Sequence, residues 1–380
     1  MRIETKLVQV GVGKDETTGA ISFPIYASTA YRHPALGEST GFDYARTANP
    51  TRTVLEAAIA DLEDGTAGFA CASGMAAIQT IMGLFSHGDH IIVSLDLYGG
   101  TYRLFEQIYS RYGLSFSYVD LRYADEVASH ITTNTKAILI ETPTNPLMQI
   151  TDIRKIAEIA KAHQLLTIVD NTFMTPFYQR PLQLGADIVF HSATKYLAGH
   201  NDVLAGLIVT KGDELSEKLR FLHNSIGAVL GPQDSWLLIR GLKTLALRME
   251  RHQENAFKVA QFLQSHSLVT DVFYPGLTEH EGHEVQREQA NGFSGMVSFR
   301  IQDAAHVGTF LRRLQVISFA ESLGGVESLC TYPATQTHAD IPVEIRERVG
   351  VCNRLLRLSI GIEHADDLIS DLAQALDSCR

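Results

Sequence analysis

One lysine of this sequence directly follows a short apolar segment that predicts a buried strand, within Ile188–Lys195. Taken alone, Lys195 could equally be a surface lysine at the end of that strand. A second apolar segment, Leu166–Val169, ends in Asp170, and a carboxylate there is costly unless a cation pairs with it. Enzymes that use pyridoxal phosphate (PLP) combine a lysine that binds the cofactor covalently with an acid at its ring nitrogen. Lys195 and Asp170 are therefore candidates for a PLP site.

A third segment, Ala72–Ala77, lies between a predicted strand and an apolar helix and consists mostly of small residues. Small residues allow backbone N–H groups at the start of a helix to approach an anion closely. The glycine of this segment, Gly74, could instead serve tight packing of the helix against the strand. Because Ser192 and Thr194 offer hydroxyl donors beside the lysine, we favour a phosphate-binding site.

The elements that could position these residues are predicted between about residues 66 and 210, where short apolar segments alternate with helical periodicity. This alternation is typical of an α/β domain whose mostly parallel sheet is covered on both faces. Ligands bind such sheets at the carboxyl ends of the strands, where Lys195 and Asp170 are expected. One helix is predicted over Asp152–His163, with Thr151 or Asp152 as its N-cap. The predicted strands are Ala67–Ala70, His90–Ser94, Ser115–Val119, Ala137–Glu141, Leu166–Asp170, Ile188–His191 and Leu207–Thr210.

The sequence predicts that the chain is divided into three structural parts. Residues 1–60, which prolines interrupt, form an extended arm that needs another surface to pack against, such as a neighbouring subunit. Residues 61–245 form the cofactor-binding α/β domain. Residues 246–380 form a smaller α+β domain, with a long helix over residues 247–266 and strands near Gly295–Arg300 and Leu355–Ile360.

The composition is that of an ordinary globular protein of 380 residues, of which 45% are hydrophobic and 20% charged. The net charge of −11, from 32 basic and 43 acidic residues, argues against nucleic acid or an anionic membrane surface as a partner. Neither an apolar signal segment nor a run of about 18 apolar residues is present, so we expect no membrane helix. Four cysteines without a C-x-x-C pair indicate a reducing, cytoplasmic location.

Two further motifs are weak. Gly11–Lys14 is similar to part of a phosphate loop, but Val8 and Asp15 stand where that loop needs glycine and a hydroxyl residue. The two histidines of His280–Glu284 are too closely spaced for the zinc-protease motif. We therefore expect a plain loop, a solvated polar segment and no metal site.

Seven segments, spread in order through a match that runs from about residue 5 to residue 370, resemble the Cys/Met-metabolism family of PLP-dependent enzymes. The resemblance implies PLP as the cofactor and an aspartate-aminotransferase-like fold (fold type I), with a mostly parallel seven-stranded sheet and a smaller C-terminal domain. Within the family, the chain is most similar to the bacterial branch of cystathionine γ-synthases and O-acetylhomoserine thiol-lyases. The segments are SGMAA, DLYGGTYRLF, ETPTNPL, VDNTF, HSATKYLAGHND, ESLGGVESL and TYPATQTH.

The same resemblance implies roles at the cofactor ring. Lys195 would bind the cofactor covalently and later remove the Cα proton of the substrate. Asp170 would contact the ring nitrogen and keep it protonated. Tyr98 would stack on the ring, with a possible part in proton transfer, and Asn145 would lie near its phenolic oxygen and the substrate carboxylate.

The resemblance also implies how the phosphate and the substrate are bound. Tyr44 and Arg46 would reach the phosphate of a neighbouring subunit, which implies a homo-oligomer, with a tetramer as the common family form. Arg357 would hold the substrate α-carboxylate, because a guanidinium fits a planar anion in a bidentate way, and Ser322 would lie beside it. The phosphate-binding residues would be Gly74, Met75, Ser192 and Thr194.

Three places in the sequence bear on the substrate. Glu321 stands where β-lyases of the family tend to carry an aromatic residue, which favours γ-chemistry. Gly100 stands where methionine γ-lyases carry a cysteine, which argues against that activity. Succinyl-ester synthases tend to have two consecutive arginines where this chain has Arg46 and Thr47, although Arg103 could still bind a distal carboxylate. We therefore expect an uncharged acyl group, with acetyl favoured.

The predicted reaction is γ-replacement, in which an O-acyl-L-homoserine and L-cysteine give L-cystathionine for methionine biosynthesis. Sulfide in place of cysteine would give homocysteine. The alternative is a cystathionine γ-lyase, which would release 2-oxobutyrate, cysteine and ammonia. A non-catalytic regulator with this fold is a remote alternative, because such a protein would be expected to lack Lys195 or its proton-handling neighbours.

Overall fold

The computed structural model describes residues 1–339 and 341–379, which form two β-sheets with helices packed against them. The strands of the larger sheet are β1 (Ala67–Cys71), β2 (His90–Ser94), β3 (Ser115–Val119), β4 (Thr135–Glu141), β5 (Leu166–Asp170), β6 (Ile188–Ser192) and β7 (Gly206–Thr210). Their order across the sheet is β1-β7-β6-β5-β4-β2-β3. Only β7 runs against its neighbours, so the predicted mostly parallel α/β sheet is confirmed.

The central strands are apolar over nearly their whole length because both faces of this sheet are covered. Ile138 and Val169 pack into the core on one face, whereas Leu139 and Ile168 pack into the core on the other. Each of the seven strands lies where the sequence predicts it, with ends that differ by at most two residues. The carboxyl ends of β4, β5 and β6 therefore meet along one edge.

The smaller sheet has five strands in the order β10-β11-β12-β9-β8. They are β8 (Val269–Phe273), β9 (Met296–Ile301), β10 (Ser318–Phe319), β11 (Leu329–Thr331) and β12 (Leu355–Ser359). The pairing is antiparallel except between β10 and β11. This sheet contains both strands that the sequence predicts in the C-terminal part.

The α-helices connect and cover these strands. In the predicted helix near residue 153, the Asp152 side chain caps the N-terminus by accepting a hydrogen bond from the Lys155 N–H group. The helices are α1 (Ile3–Val8), α2 (Pro50–Leu62), α3 (Gly74–Met82), α4 (Gly99–Gln107), α5 (Ala124–Val127), α6 (Ile153–Ala162), α7 (Thr175–Tyr178), α8 (Asp213–Ile226), α9 (Pro232–Leu242), α10 (Leu245–Ser265), α11 (His283–Gln289), α12 (Val307–Arg313), α13 (Val343–Arg348) and α14 (Ala365–Asp377).

Helix α10 belongs to two hydrophobic cores. Its first turns place Leu245 and Met249 in the core of the larger sheet, and its later turns place Val259 and Leu263 in the core of the smaller sheet. Between them, the buried Arg248 donates hydrogen bonds to the carbonyls of Tyr196 (2.6 Å) and Gly241 (2.8 Å). The helix thus connects the two sheets, because its first turns pack in the core of one and its later turns pack in the core of the other.

The N-terminal residues are only partly an exposed arm. Leu7 of α1 and Ile59 of α2 are fully buried in the core of the larger sheet. Between these helices most residues are exposed, among them Ile25, Leu36 and Tyr44. Helix α2 continues across residue 60, and the domain boundaries at 60 and 245 remain predictions.

Candidate active site

A cavity of about 370 Å³ opens at the carboxyl ends of β4, β5 and β6. On its other side it is bounded by Arg357 of the smaller sheet and by loop residues that include Ser322 and Thr337. This position agrees with the rule that ligands bind parallel sheets at the carboxyl ends of the strands. The cavity brings together eleven of the fourteen predicted site residues. They are Gly74, Met75, Tyr98, Asn145, Asp170, Ser192, Thr194, Lys195, Glu321, Ser322 and Arg357.

Lys195 lies three residues beyond the end of β6, and its Nζ atom donates a hydrogen bond to the Ser322 hydroxyl at 3.0 Å. Burial, assisted by the nearby positive charge of Arg357, lowers the pKa of Lys195 to about 8, although Glu321 opposes the shift. At pH 7 roughly one tenth of the side chains are then neutral, far more than for an ordinary lysine. The amine is therefore suited to act as a nucleophile and as a base.

Asp170 ends β5 at the floor of the cavity. The backbone N–H group of Thr172, at 2.9 Å, and its hydroxyl both donate to the Oδ1 atom of Asp170. The Thr172 hydroxyl in turn accepts a hydrogen bond from the Ser192 N–H group at 2.9 Å, which fixes β5 against β6. Burial raises the pKa of Asp170, so a cation placed in the cavity would favour its ionised form.

The first turn of α3 faces Ser192. A Cβ atom on Gly74 would lie 2.9 Å from the Ser192 Cβ atom, so only glycine permits this close approach. Within residues 1–339 and 341–379, the N–H groups of Gly74 and Met75 have no hydrogen-bond partner, as expected for a helix start that can bind an anion. The Thr194 hydroxyl is engaged with the Ala205 backbone, donating at 3.2 Å and accepting at 3.0 Å.

Tyr98 and Asn145 lie on separate loops that both contact Glu141. Tyr98 precedes α4, and its ring lies so close to Gly100 that any Cβ atom there would clash with it. The N–H groups of Tyr98 and Asn145 donate to Oε2 and Oε1 of Glu141, each at 2.9 Å. A glycine at position 100 therefore allows the observed position of the Tyr98 ring.

Arg357, on β12, is a buried cation whose hydrogen bonds all go to neutral oxygens in the part of the chain that the structure describes. It donates to Asn145 Oδ1 at 2.8 Å, to the Ser322 carbonyl at 2.9 Å and to the Thr331 hydroxyl at 3.0 Å. Burial lowers its pKa to about 10, which leaves the guanidinium charged at neutral pH. A carboxylate in the cavity would supply the opposite charge that this cation needs.

Three predicted residues lie elsewhere in the subunit. Arg103 is exposed on α4 and is not among the described residues that line the cavity. Tyr44 is also exposed, and the Arg46 guanidinium lies over its ring while donating to the Asn224 carbonyl at 3.0 Å. Their predicted roles, at a distal carboxylate and at a neighbouring subunit, remain predictions.

The cavity also contains residues to which the sequence analysis gives no role. Among them are Ser73, whose side chain caps α3, and Glu141, Thr172 and Thr337. Glu141 and Thr172 stand in segments that carry the family resemblance, but their contacts depend on the meeting of separate strands. The sequence therefore identifies these segments but does not predict the hydrogen bonds between them.

The alternative sites considered in the sequence receive no support. No group of three or more His, Cys, Asp or Glu side chains able to hold a metal exists among the described residues. His280 and His283 instead bond the carbonyls of Met148 and Pro275, at 2.8 and 2.7 Å. None of the cysteines lines the cavity, and no helix in the described ranges is long and apolar enough to cross a membrane.

The fold and the cavity define an α/β protein with a buried lysine, an acid and the N-terminus of a helix at one sheet edge. The chain belongs to the Cys/Met metabolism PLP-dependent enzyme family, whose pattern it matches over residues 4–377. It is therefore a PLP-dependent enzyme.

Two bacterial relatives and one solved structure show the range of this similarity. The chain is 61% identical over 374 residues to the cystathionine gamma-synthase/O-acetylhomoserine (thiol)-lyase of Bacillus subtilis (strain 168), covering 98% of this chain and 96% of that one. It is 53% identical over 378 residues to the cystathionine gamma-lyase of the same organism, with 100% of both covered. The crystal structure of cystathionine gamma-lyase from Lactobacillus plantarum complexed with L-serine superimposes with a TM-score of 0.98 at 51% identity, covering 100% and 99% of the chains.

The residues of the cavity fit this cofactor. When bound, PLP withdraws electrons from an amino-acid substrate and makes its Cα proton more acidic. Asp170 would present its carboxylate to the ring nitrogen, and the N–H groups at the start of α3 would bind the phosphate. Lys195 can hold or remove a proton near neutral pH, and Arg357 can orient a substrate by its carboxylate.

Proposed function

We propose that the protein catalyses γ-replacement, in which an O-acyl-L-homoserine and L-cysteine give L-cystathionine. The observation that carries this proposal is the 61% identity to the Bacillus subtilis synthase along nearly the whole chain. Glu321 supports it, because an acidic residue lines the cavity where the resemblance associates an aromatic residue with β-lyases. In this proposal Lys195, Asp170 and Tyr98 act at the cofactor, and Arg357 and Ser322 hold the substrate.

We propose acetyl as the acyl group. Of the described residues that line the cavity, only Lys195 and Arg357 are cationic, and both already have roles at the cofactor and the α-carboxylate. Thr47 replaces the second arginine that the resemblance associates with succinyl esters, and Arg103 lies outside the cavity of this subunit. A succinyl carboxylate would therefore lack a dedicated positive charge within the subunit.

The second candidate is a cystathionine γ-lyase. It is supported by the similarity to the γ-lyases of Bacillus subtilis and Lactobacillus plantarum, which are 53% and 51% identical to this chain over nearly their whole length. The same lysine, acid and arginine would serve both reactions. The two candidates differ in whether a thiol adds to the substrate or cystathionine is cleaved.

A substrate panel tests the proposed reaction, its lyase alternative and the proposed acyl group. O-acetyl- and O-succinyl-L-homoserine would each be combined with cysteine or sulfide, and cystathionine would be supplied alone. We expect the highest kcat/KM with the acetyl ester, by about tenfold or more, because a missing ion-pair partner leaves the succinyl carboxylate uncompensated. Rapid release of 2-oxobutyrate from cystathionine alone would favour the lyase, and a preference for the succinyl ester would refute the acyl assignment.

We also propose that the enzyme is a cytoplasmic homo-oligomer in which Tyr44 and Arg46 complete the phosphate site of a neighbouring subunit. Both lie outside their own subunit's cavity, on a largely exposed segment. A guanidinium would add a charged donor to the N–H groups of α3.

Subunit mixing tests this sharing. Arg46→Ala and Lys195→Ala proteins should each be inactive or weak, yet regain activity after they exchange subunits. The reason is that one site of a mixed dimer receives both Arg46 and Lys195 from intact chains. Exchange would be verified with differently tagged chains, and two Lys195→Ala preparations mixed together provide the control. Verified exchange without recovery would show that the site is not shared.

A further inference from the structure

Glu141 joins the two loops that carry Tyr98 and Asn145. It ends β4, is 7% exposed and lines the cavity. One of its oxygens accepts from the N–H group at the start of α4, and the other accepts from the loop after β4, each at 2.9 Å. A single carboxyl group thus connects backbone positions that lie 47 residues apart in the chain.

Burial of the Glu141 carboxyl group beside another acid costs free energy unless its hydrogen bonds compensate. Glu141 pairs in register with Asp170 on the neighbouring strand, so two acids lie side by side at the cavity floor. Burial and the proximity of Asp170 raise the pKa of Glu141, while its two N–H donors oppose the shift. Both oxygens of a carboxyl group can accept hydrogen bonds, whereas an amide of the same shape offers only one acceptor.

The same loops are contacted from the other side by the segment before α13. The Thr337 carbonyl packs so closely on Gly99 that a Cβ atom there would clash. The His338 ring bonds the Asn145 carbonyl at 3.1 Å, and burial lowers the pKa of His338 to about 3, so the ring is neutral. These contacts cover the loops individually, whereas Glu141 binds both loops through one side chain.

We propose that Glu141 is a positioning residue that sets the separation of the Tyr98 ring and the Asn145 amide, and through them the orientation of the cofactor ring. The inference does not depend on which cystathionine reaction is catalysed. It rests on the proposed contacts of Tyr98 and Asn145 with PLP.

The test is Glu141→Gln, which keeps the shape but turns an N–H donor toward a backbone N–H group. We expect the dissociation constant for PLP to rise about tenfold, because a buried donor loses its acceptor. The visible circular dichroism of the bound cofactor should also decrease, since it reports the asymmetric surroundings of the ring. Spectroscopic titration of the apoenzyme with PLP measures both quantities without turnover.

The matched control is Asp371→Asn on α14. Asp371 is likewise a buried carboxylate that accepts from backbone N–H groups, those of Gln315, Val316 and Ile317. It lies outside the cavity, so this variant should lose thermal stability while its PLP affinity and visible circular dichroism stay at wild-type values.

A Glu141→Gln protein that loses only thermal stability, as the control does, would overturn the proposal. Should this variant not fold, Glu141→Asp keeps both acceptors on a side chain one methylene shorter, and the same change in dichroism is expected from it. Tyr98→Ala, titrated in parallel, separates the premise from the inference. Unchanged PLP binding in Tyr98→Ala would refute the Tyr98 contact. If PLP binding changes in Tyr98→Ala but not in Glu141→Gln, the role of Glu141 is refuted.

Discussion

Lys195→Ala should abolish covalent PLP binding and lower turnover by about four orders of magnitude, the upper range for loss of a catalytic acid–base group. Lys195 is expected both to bind the cofactor and to move the Cα proton. Burial lowers the pKa of its amine to about 8, and no other lysine is found among the described residues that line the cavity. Borohydride reduction of the PLP-loaded protein, followed by peptide mass spectrometry, measures the attachment, and steady-state kinetics measure the turnover.

Lys211→Ala provides the matched control. Lys211 directly follows β7, and its Nζ atom donates to the Leu182 carbonyl at 3.0 Å, outside the cavity. We expect this variant to retain labelled Lys195 and near-wild-type turnover. PLP fixed to another lysine in Lys195→Ala, with turnover preserved, would contradict the assignment. Wild-type protein that binds PLP but turns over no member of the substrate panel would instead favour the regulator.

Asp170→Asn should lower turnover by about three orders of magnitude. An asparagine keeps an oxygen for the two bonds from Thr172, but it removes the charge and presents an amide to the ring nitrogen. Removing one partner of a buried ion pair costs about 3–5 kcal/mol, which corresponds to this loss of rate. The loss should appear in kcat, together with a shifted absorbance of the bound cofactor.

The control for this variant is Asp187→Asn, at the opposite end of the same strand pair. The Asp187 carboxylate accepts from the Thr167 N–H group at 2.8 Å, so its loss should weaken the contact between β5 and β6 without touching the cavity. Thermal stability should fall while kcat stays near the wild-type value. Near-normal turnover of Asp170→Asn would show that Asp170 is not the partner of the ring nitrogen.

Lys195 and Asp170 could be predicted because each follows a continuous apolar strand, and the direction of such strands places their ends together. The strand positions themselves were predictable for the same reason, since both faces of the sheet are buried. Asp152 could be predicted as one of two N-cap candidates, beside Thr151, because capping is local. These features depend on a few neighbouring residues.

Other parts of the site depend on contacts between distant segments. Arg357 and Asn145 are 212 residues apart in sequence and meet only because two sheets pack together. The resemblance pointed to both residues, whereas composition and periodicity contain no signal for the bond between them. Glu141 shows the limit more sharply: its segment carries the family resemblance, but its two hydrogen bonds depend on where α4 begins relative to β4.

The helix α10 links the two sides of this cavity mechanically. A 21-residue helix extends about 30 Å and is stiff, and its two ends are anchored in different cores. One stiff element therefore joins the two sheets on either side of the cavity. Two hydrogen bonds also join the two sides of the cavity, from Lys195 to Ser322 and from Arg357 to Asn145. A change in the angle between the two sheets would therefore strain the bonds of the lysine amine and of the arginine together.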